Sequence, residues 1–298
     1  MKKMHIFTEL IKMSKMDRKV LLDLSHKYAR KYNPEGSALR RDQKELLRML
    51  QVLADICREH DIQWWLSSGT LLGAARHGGF IPWDDDVDIV LLKEDYDRLE
   101  KILCSMESDE FVFHCMKTDV EYVNVFGKFR KKQGEVQSKN RRHKYYKWKG
   151  LGLDIFAIEK TNYPASRIAK TLYNFQRLTS RIRTASVRRP MIRFIEFVNF
   201  RLLHPVIRLI GRINPRQEYH YTLGTGWPGH TFFMTDTFPL SQTEFEGVML
   251  PVPRDMDRYL ANVYGEWRQL PSEDAIRRSI HCKEYIEEIY GKQEYTID

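Results

Sequence analysis

The stretch Trp83-Asp84-Asp85-Asp86-Val87-Asp88-Ile89-Val90 places four carboxylates within five positions and then runs straight into apolar chain. Aspartates this close repel one another, and they are stable together only in water or around a cation. The residues that follow, Asp88-Ile89-Val90-Leu91-Leu92, read as a buried strand. Asp86 and Asp88 are two apart, and residues i and i+2 of a strand share a face. Their carboxylates can therefore bind one hard cation from the same side. Magnesium, or manganese in its place, suits them, because it takes oxygen ligands from one or two carboxylates and completes its shell with phosphates and water. The plainer reading is a solvated acidic loop that caps the strand. An EF-hand is excluded: Ile89 stands where its loop needs glycine, and Asp95 where it needs glutamate.

The surroundings favour a site. Ser68-Gly69-Thr70 lies between a short aromatic strand, Ile62 to Leu66, and a short helix, Leu71 to Arg76. Gly69 would let the backbone approach a ligand, and the helix N-terminus offers free N–H groups to a phosphate. A simple helix cap at Ser68 or Thr70 is the alternative. His77-Gly78-Gly79-Phe80-Ile81-Pro82 can only be a loop. A helix is expected over 8–31 and a strongly periodic one over 41–60. Further helices are expected over 95–106, 165–213, 254–264 and 273–290, and strands over 111–115, 121–129 and 152–158. Strands alternating with helices imply a mixed α/β fold around a small sheet.

The run from Ser68 to Ile89 resembles the signature of the LicD family, which includes the fukutin-type transferases. A looser likeness extends from about Asp42 to Glu159 and reappears at Phe245-Glu246-Gly247, Pro251-Val252-Pro253, Tyr259-Leu260 and Tyr264-Gly265. The resemblance implies a nucleotidyltransferase-like core that moves a phospho-alcohol, such as phosphocholine, from a CDP-linked donor onto a hydroxyl of a glycan or lipid-linked glycan. It implies a third carboxylate at Asp154, in Asp154-Ile155-Phe156-Ala157-Ile158-Glu159, although Ala157 and Glu159 depart from the family's proline and aspartate. On this reading Asp86, Asp88 and Asp154 hold the metal and carry catalysis. Ser68, Gly69 and Thr70 cradle phosphate, and Arg76, His77 and Lys128 neutralise charge. Arg76 could equally be a helix C-cap cation, Lys128 a solvated strand end and Asp154 an ordinary strand-end aspartate. Trp83 suits packing better than stacking on a ligand, and His281 suits the surface better than a role on the acceptor side.

The implied organisation is an N-terminal helical segment (1–41), a catalytic core (42–164), a basic helical insertion (165–216) and a C-terminal part completing the core (217–298). Charge supports the insertion. The 298 residues carry 49 Lys+Arg against 40 Asp+Glu, a net +9. Residues 165–216 alone hold twelve basic residues and one acid, Glu196. A second basic stretch, Lys128 to Lys149, is offset by acids elsewhere. On a helical wheel Arg189, Arg193, Arg201, Arg208 and Arg212 oppose Ile195, Val198, Leu202, Val206, Leu209 and Ile213. Pro205 must kink or split that helix. A basic amphipathic helix can lie on an anionic membrane surface, or pack on the core with its basic face in water.

At 42% hydrophobic residues and a mean hydropathy of −0.52, the chain is neither disordered nor polytopic. Cys57, Cys104, Cys115 and Cys282 form no CxxC pair, and the start lacks a signal-peptide h-region. The expectation is a cytoplasmic protein whose basic segment would meet the inner face of the cytoplasmic membrane. An Asp-x-Asp glycosyltransferase, an RNA nucleotidyltransferase and a non-catalytic membrane adaptor are the rivals. No nucleic-acid motif appears, so no nucleic-acid partner is expected.

Overall fold

The computed structural model describes residues 18–138, 142–226 and 229–291. The helix expected over 8–31 appears as α1 (Arg18–Tyr32), and its part before residue 18 lies outside the described residues. Helix α2 (Ala38–Glu59) follows, capped by the Ser37 hydroxyl, which accepts from the Arg40 N–H. Its Leu46, Leu50, Leu53 and Cys57 recur at three and four residues and are buried. Next come β1 (Trp65–Leu66), α3 (Ser68–His77), β2 (Asp88–Leu92), α4 (Lys93–Ser105), β3 (Phe111–His114), β4 (Gly127–Lys131) and β5 (Gly152–Lys160). The basic segment expected as an insertion contains most of α5 (Tyr163–Arg177), with α6 (Ala185–Phe197) and α7 (His204–Gly211). Strand β6 (Tyr219–Tyr221), a helical turn α8 (Met234–Thr237), the hairpin β7 (Ser241–Phe245) and β8 (Val248–Val252), α9 (Met256–Tyr264), α10 (Glu273–Ser279) and α11 (Lys283–Tyr290) complete it.

The main sheet runs β1-β2-β5-β4-β3, and β6 adds to the far half of β5. Only β2 and β5 pair in parallel; the other ladders are antiparallel. This is the expected mixed α/β architecture, a six-stranded sheet flanked by helices. One continuous apolar core joins α2, the sheet, the hairpin and the closing helices. The insertion has its own small core of Ala165, Ala169 and Ile207. All four cysteines are free thiols.

Three expectations change. The strand predicted over 121–129 begins only at Gly127, because the Asp119 carboxylate accepts from the Glu121 N–H and folds the chain into a turn. The closing helix predicted over 273–290 breaks at 280–282, where the backbone N–H groups of His281 and Cys282 donate to Asp85 instead of continuing the helix. The helix expected over 165–213 is interrupted by a 3₁₀ turn over Leu178–Arg181 and an extended Ile182, whereas around Pro205 the helical backbone runs on through a π-helical turn over Val198–Leu203 into α7, with Pro205 in its first turn.

The same segment half-buries an acid, Glu196. Burial raises the Glu196 pKa to about 7 against the opposing charge of Arg193, and Glu196 Oε1 has no hydrogen-bond partner among the described residues. The folded state therefore holds this proton up to about pH 7, whereas an unfolded glutamate releases it near 4.5. Between those values the native state binds more protons, so stability falls as pH rises, and the deficit is complete above about 7. Glu196→Gln is expected to raise the unfolding temperature at alkaline pH by the equivalent of about 1–2 kcal/mol, and to change it little in mild acid. Thermal melts at the two pH values check this.

Candidate active site

The site is built on strand register. Asp88 pairs with Asp154 across the parallel β2–β5 ladder, and Lys128 pairs with Asp154 across the antiparallel β5–β4 ladder. Residues directly opposite on neighbouring strands share a face, so Asp88, Asp154 and Lys128 form a row. The Lys128 ammonium forms a salt bridge with Asp154 Oδ1. Burial works against charged Lys128, but the Asp154 and Asp86 carboxylates together hold the lysine above its usual value. Burial raises Asp154, with Lys128 opposing.

The loop before β2 brings the other acids alongside. Gln43 of α2 fixes it by donating to the Asp84 carbonyl at 2.9 Å. Asp85 is tied to the closing segment through the N–H groups of His281 and Cys282, at 3.1 and 2.9 Å. The His281 ring places Nδ1 3.2 Å from Asp85 Oδ1 and 3.1 Å from Asp86 Oδ2. These two carboxylates hold His281 above its ordinary pKa. Burial alone would raise Asp86, but the His281 hydrogen bond and charge outweigh it and lower it to about 2. Asp84 and Asp88 form no salt bridge among the described residues. Burial first, and then the neighbouring carboxylates, push both well above the usual range. An oxygen-donor set with too little positive charge fits a hard divalent cation. The ligand atoms that already close within 4.8 Å of one another are those of Asp85, Asp86 and His281. The expected trio of Asp86, Asp88 and Asp154 is not so gathered, and Asp154 is instead paired with Lys128.

The expected phosphate cradle is placed only in part. Ser68 and Gly69 line the cleft. Thr70 turns inward, and its hydroxyl accepts from the Asp88 N–H at 2.8 Å, which fixes the start of β2. Ser68 opens α3 with a φ of 49°, its hydroxyl 3.4 Å from that of Tyr221. A Cβ at position 69 would lie 2.6 Å from Asp84 Oδ2, so any larger residue there must displace the Asp84 carboxylate. Thr70→Val leaves the buried Asp88 N–H unpaired. It is expected to cost about 1–3 kcal/mol and to reduce turnover, whereas Thr70→Ser should keep both; melting curves and rates of the two variants decide.

Arg76 and His77 do not reach the cleft. The Arg76 guanidinium donates to the carbonyls of Trp267 and Gln269 at 3.3 and 3.1 Å, and its Nε to His77 Nε2 at 3.0 Å. Burial lowers Arg76 to about 10 and His77 to about 3. The pair ties the end of α3 to the C-terminal part, because Arg76 lies on the buried face of that helix. Trp83 packs edge-on against Tyr28, Tyr32 and His77. Glu159 accepts from Arg208.

The cleft holds about 670 Å³, and its walls include groups to which the sequence gave no role in the site. Arg130 lies beside Lys128, buried, with Nη1 donating to the Gly150 carbonyl. Lys170, Tyr173 and Arg177 come from α5, and Tyr221, Tyr264 and His281 from the C-terminal part. Arg130 follows Lys128 by two in a strand, so alternation alone could have found it. No local pattern points to His281, which depends on a break 195 residues after Asp86 in the chain.

Carboxylates in register on neighbouring strands, faced by lysine and arginine, thus line one open cleft. Residues 61–205 match the family model for the LicD/FKTN/FKRP nucleotidyltransferase domain. It is 43% identical over 60 residues to the lipopolysaccharide cholinephosphotransferase LicD of Haemophilus influenzae, covering 20% of this chain and 23% of that protein. It is 51% identical over 41 residues to the human ribitol 5-phosphate transferase FKRP, covering 14% and 8%. An uncharacterized protein of Rickettsia prowazekii is 39% identical over 124 residues, covering 34% and 44%. The chain thus aligns with less than half the length of each of these relatives.

Proposed function

We propose that the protein transfers a phospho-alcohol from a CDP-linked donor to a hydroxyl of a glycan or lipid-linked glycan. The observation that carries this reading is the Asp88–Asp154–Lys128 row set against the acidic loop, within a domain whose relatives are named for cholinephosphate and ribitol-phosphate transfer. Asp86 and Asp88 would hold Mg²⁺ or Mn²⁺, with Asp154 beside them. When bound, the cation would supply charge neutralisation on the pyrophosphate. Lys128 and Arg130 face the same space and would hold the transferred phosphoryl oxygens. Asp154 would take the proton from the acceptor hydroxyl as the new O–P bond forms and the bond to the bridging oxygen breaks, releasing CMP. The aromatic side chains of Tyr146, Tyr173, Tyr221 and Tyr264 would line the nucleoside and alcohol portions.

The test is CMP release from a panel of CDP-choline, CDP-ethanolamine, CDP-glycerol and CDP-ribitol with Mg²⁺. One donor is expected to be hydrolysed slowly without acceptor and not at all after chelation. Binding of UDP-sugars in preference to every CDP donor would favour the glycosyltransferase instead.

A further inference from the structure

The insertion is amphipathic the wrong way round for water. Toward the protein, α6 and α7 bury Arg188, Asn199 and His204 together with Ile192 and Ile207. Toward solvent they present Phe194, Phe197, Leu202, Val206, Leu209 and Ile213, each more than half exposed. Fourteen of the sixteen large apolar side chains left exposed among the described residues lie between Tyr163 and Ile213; the others are Met249 and Tyr264. A soluble surface rarely gathers apolar groups in this way without something to cover them.

The helices cannot simply roll over to hide this face. Arg188 donates to both Glu121 carboxylate oxygens, at 2.7 and 3.0 Å. Asn199 donates to Gln176 of α5 at 3.2 Å. These buried polar contacts fix which side points inward. Arg193, Arg201 and Arg212 are exposed around the apolar stripe and form no salt bridge among the described residues.

We infer that the outer face of α6 and α7 docks on an anionic lipid bilayer, with its apolar side chains entering the acyl boundary and its arginines meeting the headgroups. Charge selects this occupant over a second copy of the chain. Self-association would bring together two segments that each hold twelve basic residues and one acid, whereas an anionic bilayer supplies both apolar depth and negative charge. No helix among the described residues is long and apolar enough to cross a membrane, so the contact is interfacial. Helix α5 packs against α7 and also supplies Lys170, Tyr173 and Arg177 to the cleft wall, which sets the cleft close to the docked face.

This inference does not rest on the phosphotransferase reading. The full chain is floated with phosphatidylcholine vesicles with and without phosphatidylglycerol, alongside a Phe194→Ser/Leu209→Ser/Ile213→Ser variant and an Arg193→Glu/Arg201→Glu/Arg212→Glu variant. The wild type should float with the anionic vesicles and be weakened by salt, and each variant should lose about tenfold or more in partitioning. In a Phe194→Trp variant, emission should shift to the blue on those vesicles. Absence of flotation, an unchanged apolar variant, or a wild-type dimer that the apolar variant dissolves would overturn the proposal. CDP-donor hydrolysis, measured without lipid on the same samples, reports separately on the catalytic reading.

Discussion

Asp88→Asn is expected to lower transfer by about a thousandfold or more while leaving the unfolding temperature unchanged or raised. Asp88 stands where β2 meets the acidic loop, in register with Asp154 and repelled by Asp84, Asp86 and Asp154. Removing its charge relieves that repulsion, so a cation-free fold should not suffer. The same change withdraws a negative oxygen from the place where the phosphate charge must be neutralised, at a cost of several kcal/mol of transition-state stabilisation. Activity and stability should therefore move in opposite directions. Steady-state rates and melting curves of one preparation check both. A stable variant with near wild-type turnover would remove Asp88 from the chemistry.

Arg188→Ala should be the most damaging single change outside the cleft, costing about 3 kcal/mol or more. Arg188 and Glu121 are almost wholly buried, and loss of the guanidinium leaves a carboxylate without its principal counter-charge. Arg189 also reaches Glu121, at 2.9 Å, but from an exposed position, so it compensates only in part. Arg188 further stacks 3.7 Å over the Tyr145 ring. The Arg188→Ala/Glu121→Ala double variant should be less destabilised than the sum of the two singles, because the interaction is lost only once. Denaturant titration of the cycle measures the coupling, and additivity would show that the pair is not what docks the insertion.

Much of the core was legible because periodicity and turn chemistry agree there. The α2 repeat, the Asp88 strand and the helix after it follow from apolar spacing and from the breaks around them. The Asp88–Asp154 partnership was reachable only through family resemblance, since register between strands separated by sixty-odd residues leaves no local trace. Arg76 was misplaced because a helix-end cation looks the same in sequence whether it faces a ligand or two carbonyls. His281 reads as a surface residue because the segment looks like one continuous helix. What stops that helix is Asp85, nearly two hundred residues earlier. On the wheel over 189–213 arginines oppose apolar residues, but most of both sets are exposed in the structure, and the wheel could not say which side faces the protein. That is decided by Arg188, Asn199 and His204, which the wheel does not contrast.

Strand β6 hydrogen-bonds to the far half of β5, and Tyr221 and Tyr264 stand beside Ser68 and Asp88 across the cleft. The matched family segment ends at residue 205, before any of them. A fragment cut to that boundary would expose a bare strand edge at Ile158–Lys160 and lose the floor beneath Trp65, whose indole N–H donates to Tyr259. Such a fragment would be an aggregating half-domain, and its inactivity would say nothing about catalysis. The stretch by which kinship is recognised is shorter than the unit that must fold.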